Sequence, residues 1–545
     1  MNNKPAAAPV YAHGLTKGQI KWTMAGVMIG MLLSALDQTI VGVAMPRVVA
    51  DLGGFNQYAW ATSIYMITSA ISVPIVGKLS DMYGRKIFYI IGIGFFAAAS
   101  LACGFSQTMT QLIIFRGLQG IGGGIMMTNA FTVIADIFPP AERGKYQGLL
   151  TAVFSFASVI GPTTGGFLTD RISWHWVFFI NVPLGAIAII IFMKFFPGFR
   201  GGNVTHKVDY AGVAALIMVI APAMLVLSWG GVDYAWSSPL IIGMLVFTAV
   251  ILGVFLFIES RAAEPIIPLN LFKIRIVAVA NIASFLTGMG MFGAITYIPL
   301  YLQGVLGASA TLSGNLQIPQ SIAVMITSII IGQVISRGIG NYKILGVLAM
   351  GLPCLGMFLM SRLTPDSSYW YVVMSNVILG FGLGVSIPVF TIAIQNEVPY
   401  AVLGVATSSN TFIRTFGGSI GLAILGSIVS NRFLSAFTAQ LPESVKNAVP
   451  MDQLTALAHN PQALVNAEAQ AQLKELLTQP GMDAALFDQV MQTLHNALSS
   501  AITLAFFIGC LILLAGVFTA LLMKGKPTVK ETKPAVEQAE DLTTD

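Results

Sequence analysis

Charged residues are scarce in this sequence. Asp, Glu, Lys and Arg make up 9% of its 545 residues, whereas 55% are hydrophobic. An average soluble domain carries about 25% charged residues, so the composition excludes an ordinary soluble enzyme and indicates a membrane protein. Cysteine is scarce as well, and Cys103, Cys354 and Cys510 all lie in apolar stretches. We therefore expect no structural disulfide and no metal site.

Motifs of nucleotide-driven and hydrolytic enzymes are also missing. The sequence has no Gly-x-x-x-x-Gly-Lys-Ser/Thr loop for ATP and no His-Glu-x-x-His zinc motif. The string at 417–421 matches a hydrolase motif, but it lies in an apolar helical stretch and not at a strand-to-helix turn. The net charge of +5 is a signal of membrane topology. We expect a protein that is not an enzyme, needs no cofactor and binds no nucleic acid.

Long apolar runs dominate what is present. About 20 apolar residues cross a bilayer as a helix, and fourteen runs reach about that length. The sequence therefore predicts an all-α membrane protein with fourteen transmembrane helices. The predicted spans are 20–45, 56–77, 87–105, 110–134, 148–169, 174–196, 209–230, 238–259, 276–304, 312–336, 344–361, 369–392, 404–429 and 498–523.

Lys and Arg are concentrated in the loops that follow even-numbered spans, such as Lys78 and Arg85 after the second. The short loops after odd-numbered spans contain only Arg47, Arg171 and Arg362. Basic loops stay on the cytoplasmic side of a membrane. We therefore expect both termini in the cytoplasm and the protein embedded in the lipid bilayer of the cell (inner or plasma) membrane.

Glycine landmarks recur at nearly one spacing. Gly77 and Gly332 each open a loop (332 − 77 = 255), and Gly161 and Gly417 each open a Gly-rich stretch (417 − 161 = 256). The repeat predicts two six-helix bundles enclosing a site at their interface, with spans seven and eight as an inserted pair. Chance recurrence is the alternative, since the chain has 55 glycines. The predicted segments are a cytoplasmic N-terminal segment (1–19), an N-terminal six-helix bundle (20–196), a linker with two extra helices (197–275), a C-terminal six-helix bundle (276–523) and a disordered cytoplasmic tail (524–545).

Residues 431–497 interrupt the C-terminal bundle between its last two spans. The segment is polar, and Pro442, Pro450, Pro461 and Pro480 punctuate it. Two structures are compatible with this pattern: a folded helical hairpin near the mouth of the cavity, or a mobile solvated loop. In either form we expect it outside the cytoplasm.

Asp37 lies well inside the first span. An ionised carboxylate there costs at least about 2.5 kcal/mol on insertion scales, so it must face the bundle interior or a wet cavity. Arg116 in the fourth span is the candidate partner, because pairing favours the ionised carboxylate while burial favours the protonated one. The pair is therefore predicted to couple transport to a proton or cation. A static structural pair is the alternative.

A Gly-rich charged loop follows the second span. Gly77 and Gly84 permit tight backbone between two helices. Asp81 is predicted to accept from the positive N-terminus of the helix that starts near Gly404, and Arg85 is expected in cytosolic water. Such an electrostatic contact between the two bundles would stabilise one of the two access states and break in the other. The alternative is a plain tight turn that follows the rule for basic loops.

Gly161, Pro162, Gly165 and Gly166 form a compact motif in the fifth span. Glycines at i and i+4 let a neighbouring helix approach closely, and proline favours a bend. A bent, tight helix contact suits a bundle with two states. Ordinary packing of small residues is the alternative.

Polar and aromatic residues in several spans are candidates for the wall of a substrate cavity. Core packing or contact with lipid is the alternative for each one. Arg414, a second cation within a span, is predicted to bind an anionic group or to satisfy backbone carbonyls. The candidates are Gln38, Ser63, Phe292, Tyr297, Gln317, Asn410 and Arg414.

Together these motifs resemble the major facilitator superfamily, and in particular its fourteen-helix drug:proton antiporters. Residues 77–86 are similar to the loop motif of the superfamily, and 36–46 (LDQTIVGVAMP) to the first-helix motif of the family. Residues 116–120 resemble the proton-linked fourth-helix motif, 161–166 the antiport motif, and 174–183 the entrance to the sixth helix.

The resemblance implies the major facilitator fold. It also implies export of small amphipathic or lipophilic toxic compounds, drugs among them, in exchange for protons by alternating access. We expect the protein to work as a monomer. Because the second, tenth and thirteenth spans lack further acids, a monocation, a zwitterion or a neutral lipophile fits better than a dication. The alternatives are an exporter of one endogenous lipid or metabolite, and a transport-inactive membrane sensor.

Overall fold

The computed structural model describes residues 15–53, 57–196, 208–231, 234–441 and 484–523. In these ranges the regular structure is helical, and fourteen helical stretches are long and apolar enough to cross a membrane. The predicted all-α membrane class and the number of spans are confirmed. Most of the predicted N-terminal segment (1–14), the middle of the predicted 431–497 segment (442–483) and the predicted tail (524–545) lie outside the described residues.

The α-helices are numbered in chain order, and the sixth span is made of a short helix followed by a longer one. The helices are α1 (Lys17–Leu52), α2 (Tyr58–Tyr83), α3 (Arg85–Gly104), α4 (Met109–Ile137), α5 (Pro140–Arg171), α6 (Trp176–Phe179), α7 (Asn181–Phe195), α8 (Tyr210–Trp229), α9 (Pro239–Arg261), α10 (Arg275–Gly304), α11 (Ala310–Ser336), α12 (Tyr342–Met360), α13 (Tyr369–Glu397), α14 (Leu403–Gln440) and α15 (Ala484–Leu521).

Polar caps fix where several of these helices begin. Thr16 and Gln19 form a reciprocal capping box at the start of α1. Asp209 accepts from the backbone N–H of Gly212 at 2.8 Å and so caps α8. Asn341 does the same for α12. Because the first N–H groups of a helix have no partner within it, these side chains stabilise each start locally.

The helices pack as two groups. Helices α1–α7 contact one another and are called the N-bundle, and α10–α15 contact one another and are called the C-bundle. The pair α8 and α9 lies beside them, with α8 in contact with α2 and α14. The two bundles meet mainly through α2 against α14 and α5 against α11. One face of the protein, where α2, α4, α11 and α13 end and α3, α5, α12 and α14 begin, is called the Asp81 face.

Glycines bring the two bundles into backbone contact near the Asp81 face. A methyl group added at Gly77 on α2 would overlap Ser408 on α14. Gly144 on α5 and Gly332 on α11 each lie against the carbonyl oxygen of the other. Such approach is open only to very small residues. The two repeat-related glycines, Gly77 and Gly332, therefore occupy corresponding contacts between the bundles.

The last two membrane helices are longer than predicted. Residues 431–440 continue α14, where Phe433 and Phe437 are buried at i and i+4. Residues 484–497 begin α15, where Val490 and Leu494 are buried at the same spacing. The expectation of a loop or separate hairpin was wrong for these two stretches. Their average composition is polar, but one helical face stays apolar and packs on the C-bundle core.

The first helix also extends beyond its predicted end at residue 45. It continues through Pro46 to Leu52, and Val48 is buried in the N-bundle core. Proline removes one backbone hydrogen bond from a helix. In a tightly packed membrane bundle, neighbouring helices hold the chain in place, so the loss does not end the helix.

Candidate functional site

Asp37 is buried inside the N-bundle and is 1% exposed. Its Oδ2 accepts a hydrogen bond from Nη1 of Arg116 at 2.5 Å. Its Oδ1 accepts from Nε2 of Gln119 at 2.7 Å and from Nδ2 of Asn181 at 3.2 Å. Both carboxylate oxygens therefore face donors, an arrangement that suits an ionised carboxylate because a charged acid only accepts.

The amides around Asp37 are held by Ser100 on α3. Gln119 and Asn181 each donate to its Oγ at 2.9 Å, and the hydroxyl donates to the carbonyl of Phe178 at 3.0 Å. Nη1 of Arg116 also donates to Oε1 of Gln119 at 2.7 Å. Side chains from α1, α3, α4 and α7 thus form one network. A connected polar network of this kind fixes the geometry of each member in a medium of low dielectric constant.

Tyr65 on α2 connects this network to the space between the bundles. The guanidinium carbon of Arg116 lies 4.3 Å from the centroid of the Tyr65 ring, a cation–π contact. Tyr65 itself lines the central cavity, as does Gln38. Asp37 does not line the cavity. The sequence predicts that Asp37 faces either the bundle interior or a wet cavity, and the structure places it in the bundle interior.

The central cavity lies between the N-bundle and the C-bundle. Its cavity volume is about 100 Å³ in this conformation, which is below the range of small-molecule sites, and it lies within a cleft of about 880 Å³ that includes open solvent. Four methionines and four phenylalanines line it. Methionine and aromatic side chains accommodate apolar ligands of varied shape. Arg414 is the one charged residue of the lining among the residues that the structure describes.

The structure corrects the predicted cavity wall. Gln38, Phe292 and Arg414 line the cavity, whereas the other four candidates lie elsewhere. The sequence identifies the spans but not the rotation of each helix about its axis, so it does not determine which face meets the cavity. The hydroxyl oxygens of Ser63 and Ser228 on α8 lie 3.2 Å apart, and Tyr297 is 7% exposed in the C-bundle core. Gln317 donates to the carbonyl of Ser313 in its own helix. Asn410 donates to Asn281 and Ser284 on α10.

Asp81 joins the two bundles at the Asp81 face. Its carboxylate accepts from the backbone N–H of Gly404 at 3.1 Å and of Val405 at 2.9 Å. These are the first free donors of α14, the helix that the sequence predicts for this contact. Gly84 ends α2 with a φ of 94°, a conformation that favours glycine, and so allows the sharp turn into α3. A role in gating remains a prediction.

Arg85 is buried, and its predicted place in cytosolic water was wrong. It is 6% exposed and pairs with Asp81 at 2.7 Å and closely with Asp136. Asp136 lies at the end of α4, and nothing in the sequence indicates that it faces this loop. Two acids therefore surround one arginine, which explains why the arginine is drawn away from water.

Further polar contacts tie the bundles together on the same side. In the part of the chain that the structure describes, the hydrogen bonds that join the N-bundle to the C-bundle all lie in the half of the protein next to the Asp81 face. In this conformation the bundles are therefore closed against each other on that side. Besides those of Asp81, the bonds include Arg143 to the carbonyl of Gln395 (3.2 Å), Gln147 to Oε1 of Gln395 (3.2 Å), the N–H of Lys145 to Ser336 (2.9 Å) and Ser328 to the carbonyl of Gly148 (3.0 Å).

The glycine motif of α5 contacts α1 through two of its members. A methyl group at Gly161 would overlap Thr39, and Gly165 lies against Ile40. A methyl group at Gly166 would meet no neighbour within 4 Å, and Pro162 is exposed within the helix. The contact is adjacent to Asp37 along α1. A role in antiport remains a prediction.

Among the described residues, no group of three or more His, Cys, Asp or Glu side chains is placed to hold a metal ion. The three cysteines are free thiols.

Sequence reasoning missed Ser100, Gln119 and Asn181. Gln119 follows Arg116 by three residues and so shares its helical face. Asn181 is a buried amide in an apolar span, and intramembrane polar residues usually face protein. These two signals were available. Nothing in the sequence distinguishes Ser100 as a site residue, because serine is common in membrane helices.

Two helical bundles around a central cavity, each crossing the membrane several times, have the architecture of a membrane transporter. The profile of the Major Facilitator Superfamily matches residues 27–206 and 210–422. The chain therefore belongs to the Major Facilitator Superfamily, as its motifs predicted.

Individual relatives agree with this assignment. The chain is 39% identical over 524 residues to the multidrug transporter protein MdtP of Bacillus subtilis (strain 168), with 95% of each chain covered. It is 37% identical over 526 residues to multidrug resistance protein 3 of the same organism, with 95% of this chain and 98% of the relative covered. The names of both relatives refer to multidrug transport or resistance.

Solved structures share the fold at low sequence identity. The human organic anion transporter MFSD10 aligns with a TM-score of 0.58 and 13% identity, over 92% of this chain and 99% of that one. The proton:xylose symporter XylE aligns with a TM-score of 0.57 and 12% identity, over 93% and 95%. At this identity the likeness supports the fold alone.

Proposed function

We propose that this protein is a proton-coupled antiporter that exports small amphipathic or lipophilic compounds, drugs among them, across the cell membrane by alternating access. The observation that carries the proposal is the buried contact between Asp37 and Arg116. An ionisable acid in the membrane interior is costly, and such acids usually have a partner and mark ion or proton pathways. Here the partner also touches the wall of the cavity through Tyr65.

Asp37 is the proton-coupling carboxylate in this proposal. When ionised, it holds Arg116 and the amides of Gln119 and Asn181. Protonation removes its charge and the attraction of the ion pair, so Arg116 shifts against the ring of Tyr65. Tyr65 forms part of the cavity wall, and its movement changes how the cavity fits a compound. No cofactor other than the transported proton is needed, and one chain suffices.

The contacts at the Asp81 face support alternating access. The basic loops favour a cytoplasmic position for this face. Its hydrogen bonds hold the cavity closed toward the cytoplasm in this conformation, which corresponds to the state that releases a compound outward. Breaking the bonds of Asp81 to Gly404 and Val405 would open the cytoplasmic side. The names of the Bacillus relatives support drugs as the exported class.

The proposal is tested with the purified full chain in sealed liposomes that contain a pH-sensitive dye. Adding a compound that the protein carries in exchange for protons changes the internal pH, and a proton uncoupler abolishes the change. A panel of neutral, anionic and cationic amphipathic compounds covers the expected substrates. Failure of every compound to move protons, with transport of a compound that is insensitive to the uncoupler, would contradict the proposal.

A further inference from the structure

The central cavity contains a cation that has no counter-ion among the described residues. Arg414 on α14 lines the cavity and is 7% exposed. Its Nη1 is buried without a hydrogen-bond partner among the described residues, and no described acid forms an ion pair with it. We propose that Arg414 is an anion-recognition residue, and that the compounds this protein exports are apolar or aromatic molecules that carry a carboxylate, sulfonate or similar acidic group. This inference rests on the proposed function and specifies its substrate class.

Arg414 differs in this respect from the other buried arginines of the described chain. Arg116 is paired with Asp37, and Arg85 with Asp81 and Asp136. Arg143 donates to the carbonyl oxygens of Ala135, Phe138 and Gln395. Each of these three arginines therefore has acids or backbone carbonyls of the protein as partners, although Nη1 of Arg85 is also without a hydrogen-bond partner among the described residues. A buried charge is expected to be paired, so the unpaired one is the group that a ligand completes.

The position of Arg414 is fixed by close helix packing. Gly288 on α10 lies against the carbonyl oxygen of Arg414, so the backbone of α14 is held against α10 at this point. One turn further along α14, Gly418 packs against the ring of Phe292, which also lines the cavity. A guanidinium on a rigid helix, beside a cavity wall, loses little freedom when it binds a planar anion.

The rest of the cavity matches the other part of such a compound. In the described part of the chain no Asp or Glu lines the cavity, so Arg414 gives this wall a net positive charge. Methionines and phenylalanines surround it, among them Met291, Phe292 and Phe412. An apolar chamber with one cation binds an amphipathic anion and disfavours a cation of the same shape. The guanidinium fork fits the two oxygens of a carboxylate or sulfonate.

Two dyes with the same aromatic body test the inference. 1-Anilinonaphthalene-8-sulfonate is anionic, and N-phenyl-1-naphthylamine is the same ring system without the sulfonate. Binding of each to the full chain in lipid nanodiscs is measured by equilibrium dialysis, with empty nanodiscs subtracted. For the unchanged protein we expect the anionic dye to bind about tenfold more tightly, or about 1.4 kcal/mol. Equal binding, or tighter binding of the neutral dye, overturns the inference without any variant.

Variants of α14 then test the residue. Arg414→Gln is expected to lose about tenfold in affinity for the anionic dye and to leave the neutral dye unchanged, while Arg414→Lys keeps part of the anion affinity. Arg432→Gln, which changes an exposed arginine of the same helix, is the matched control and should alter neither. If Arg414→Gln weakens both dyes equally, or neither, the residue does not recognise the anionic group.

The same dyes separate this inference from the proposed function. Anion-selective binding that depends on Arg414, together with transport of the anionic dye that is insensitive to the uncoupler and no proton movement with any compound of the panel, would refute proton-coupled export and leave the anion site standing. Proton-coupled export with no preference between the dyes would refute the anion site and leave the transport function standing.

Discussion

Gly144 on α5 and Gly332 on α11 meet backbone to backbone across the two bundles. A methyl group on either one would overlap the carbonyl oxygen of the other. The contact belongs to the set that closes the bundles against each other next to the Asp81 face. Close approach of two backbones increases dispersion contacts, and it is lost when even one carbon is added.

Gly332→Ala is therefore expected to destabilise the closed arrangement. Overpacking of this kind typically costs about 1–3 kcal/mol. The variant should transport several-fold more slowly, and its thermal unfolding midpoint in detergent should fall. Gly314→Ala lies on the same helix, has no neighbour within 4 Å and is the matched control. If both variants change the transport rate and the unfolding midpoint equally, the contact between Gly144 and Gly332 does not stabilise the closed arrangement.

Asp81→Ala is expected to slow turnover at least fivefold while changing the affinity for substrate by less than about twofold. The carboxylate caps α14 of the opposite bundle and lies outside the cavity lining, so its loss affects the access states more than the binding site. Turnover and equilibrium binding are measured on the same preparation. Asp209→Ala, which removes an acidic cap from α8, is the control. A matching loss of affinity would count against a gate.

Tyr65 is predicted to link proton binding to the cavity. Tyr65→Phe keeps the ring under Arg116 and should retain at least half of the proton-coupled transport. Tyr65→Leu removes the cation–π contact, worth about 0.5–2 kcal/mol, and should lower the number of protons moved per compound. The proton-to-substrate ratio is measured in liposomes. Unchanged coupling in Tyr65→Leu would remove Tyr65 from the mechanism.

The sequence determined the class of fold well because the spans are long and apolar. It placed Asp37 and Arg116 in different helices, and the pair is plausible from charge alone since each needs a partner in the membrane. It predicted the helix that meets Asp81 because an exposed helix start attracts an acid. Each of these features depends on residue type and on position along the chain, which a sequence states directly.

Other features depend on how each helix is rotated, which the sequence does not state. Tyr297 and Asn410 are typical of a cavity wall by type, yet both face neighbouring helices of the C-bundle. Asp136 was not singled out because its partner, Arg85, lies on another helix of the folded bundle. The sequence predicts too early an end for α14 and too late a start for α15. The average hydropathy of these stretches is low although one face of each helix is apolar.

The central claim is that the charge of Asp37 couples protons to the exported compound. Asp37→Asn keeps the size of the side chain but cannot ionise. Asp51→Asn makes the same change at an exposed acid of the same helix and is the control.

The most direct measurement compares two activities of Asp37→Asn in liposomes. One is accumulation of a compound driven by a pH gradient, and the other is exchange of labelled for unlabelled compound without a gradient. We predict that gradient-driven accumulation falls at least tenfold while exchange persists, and that Asp51→Asn retains both. Full gradient-driven accumulation by Asp37→Asn would contradict the account.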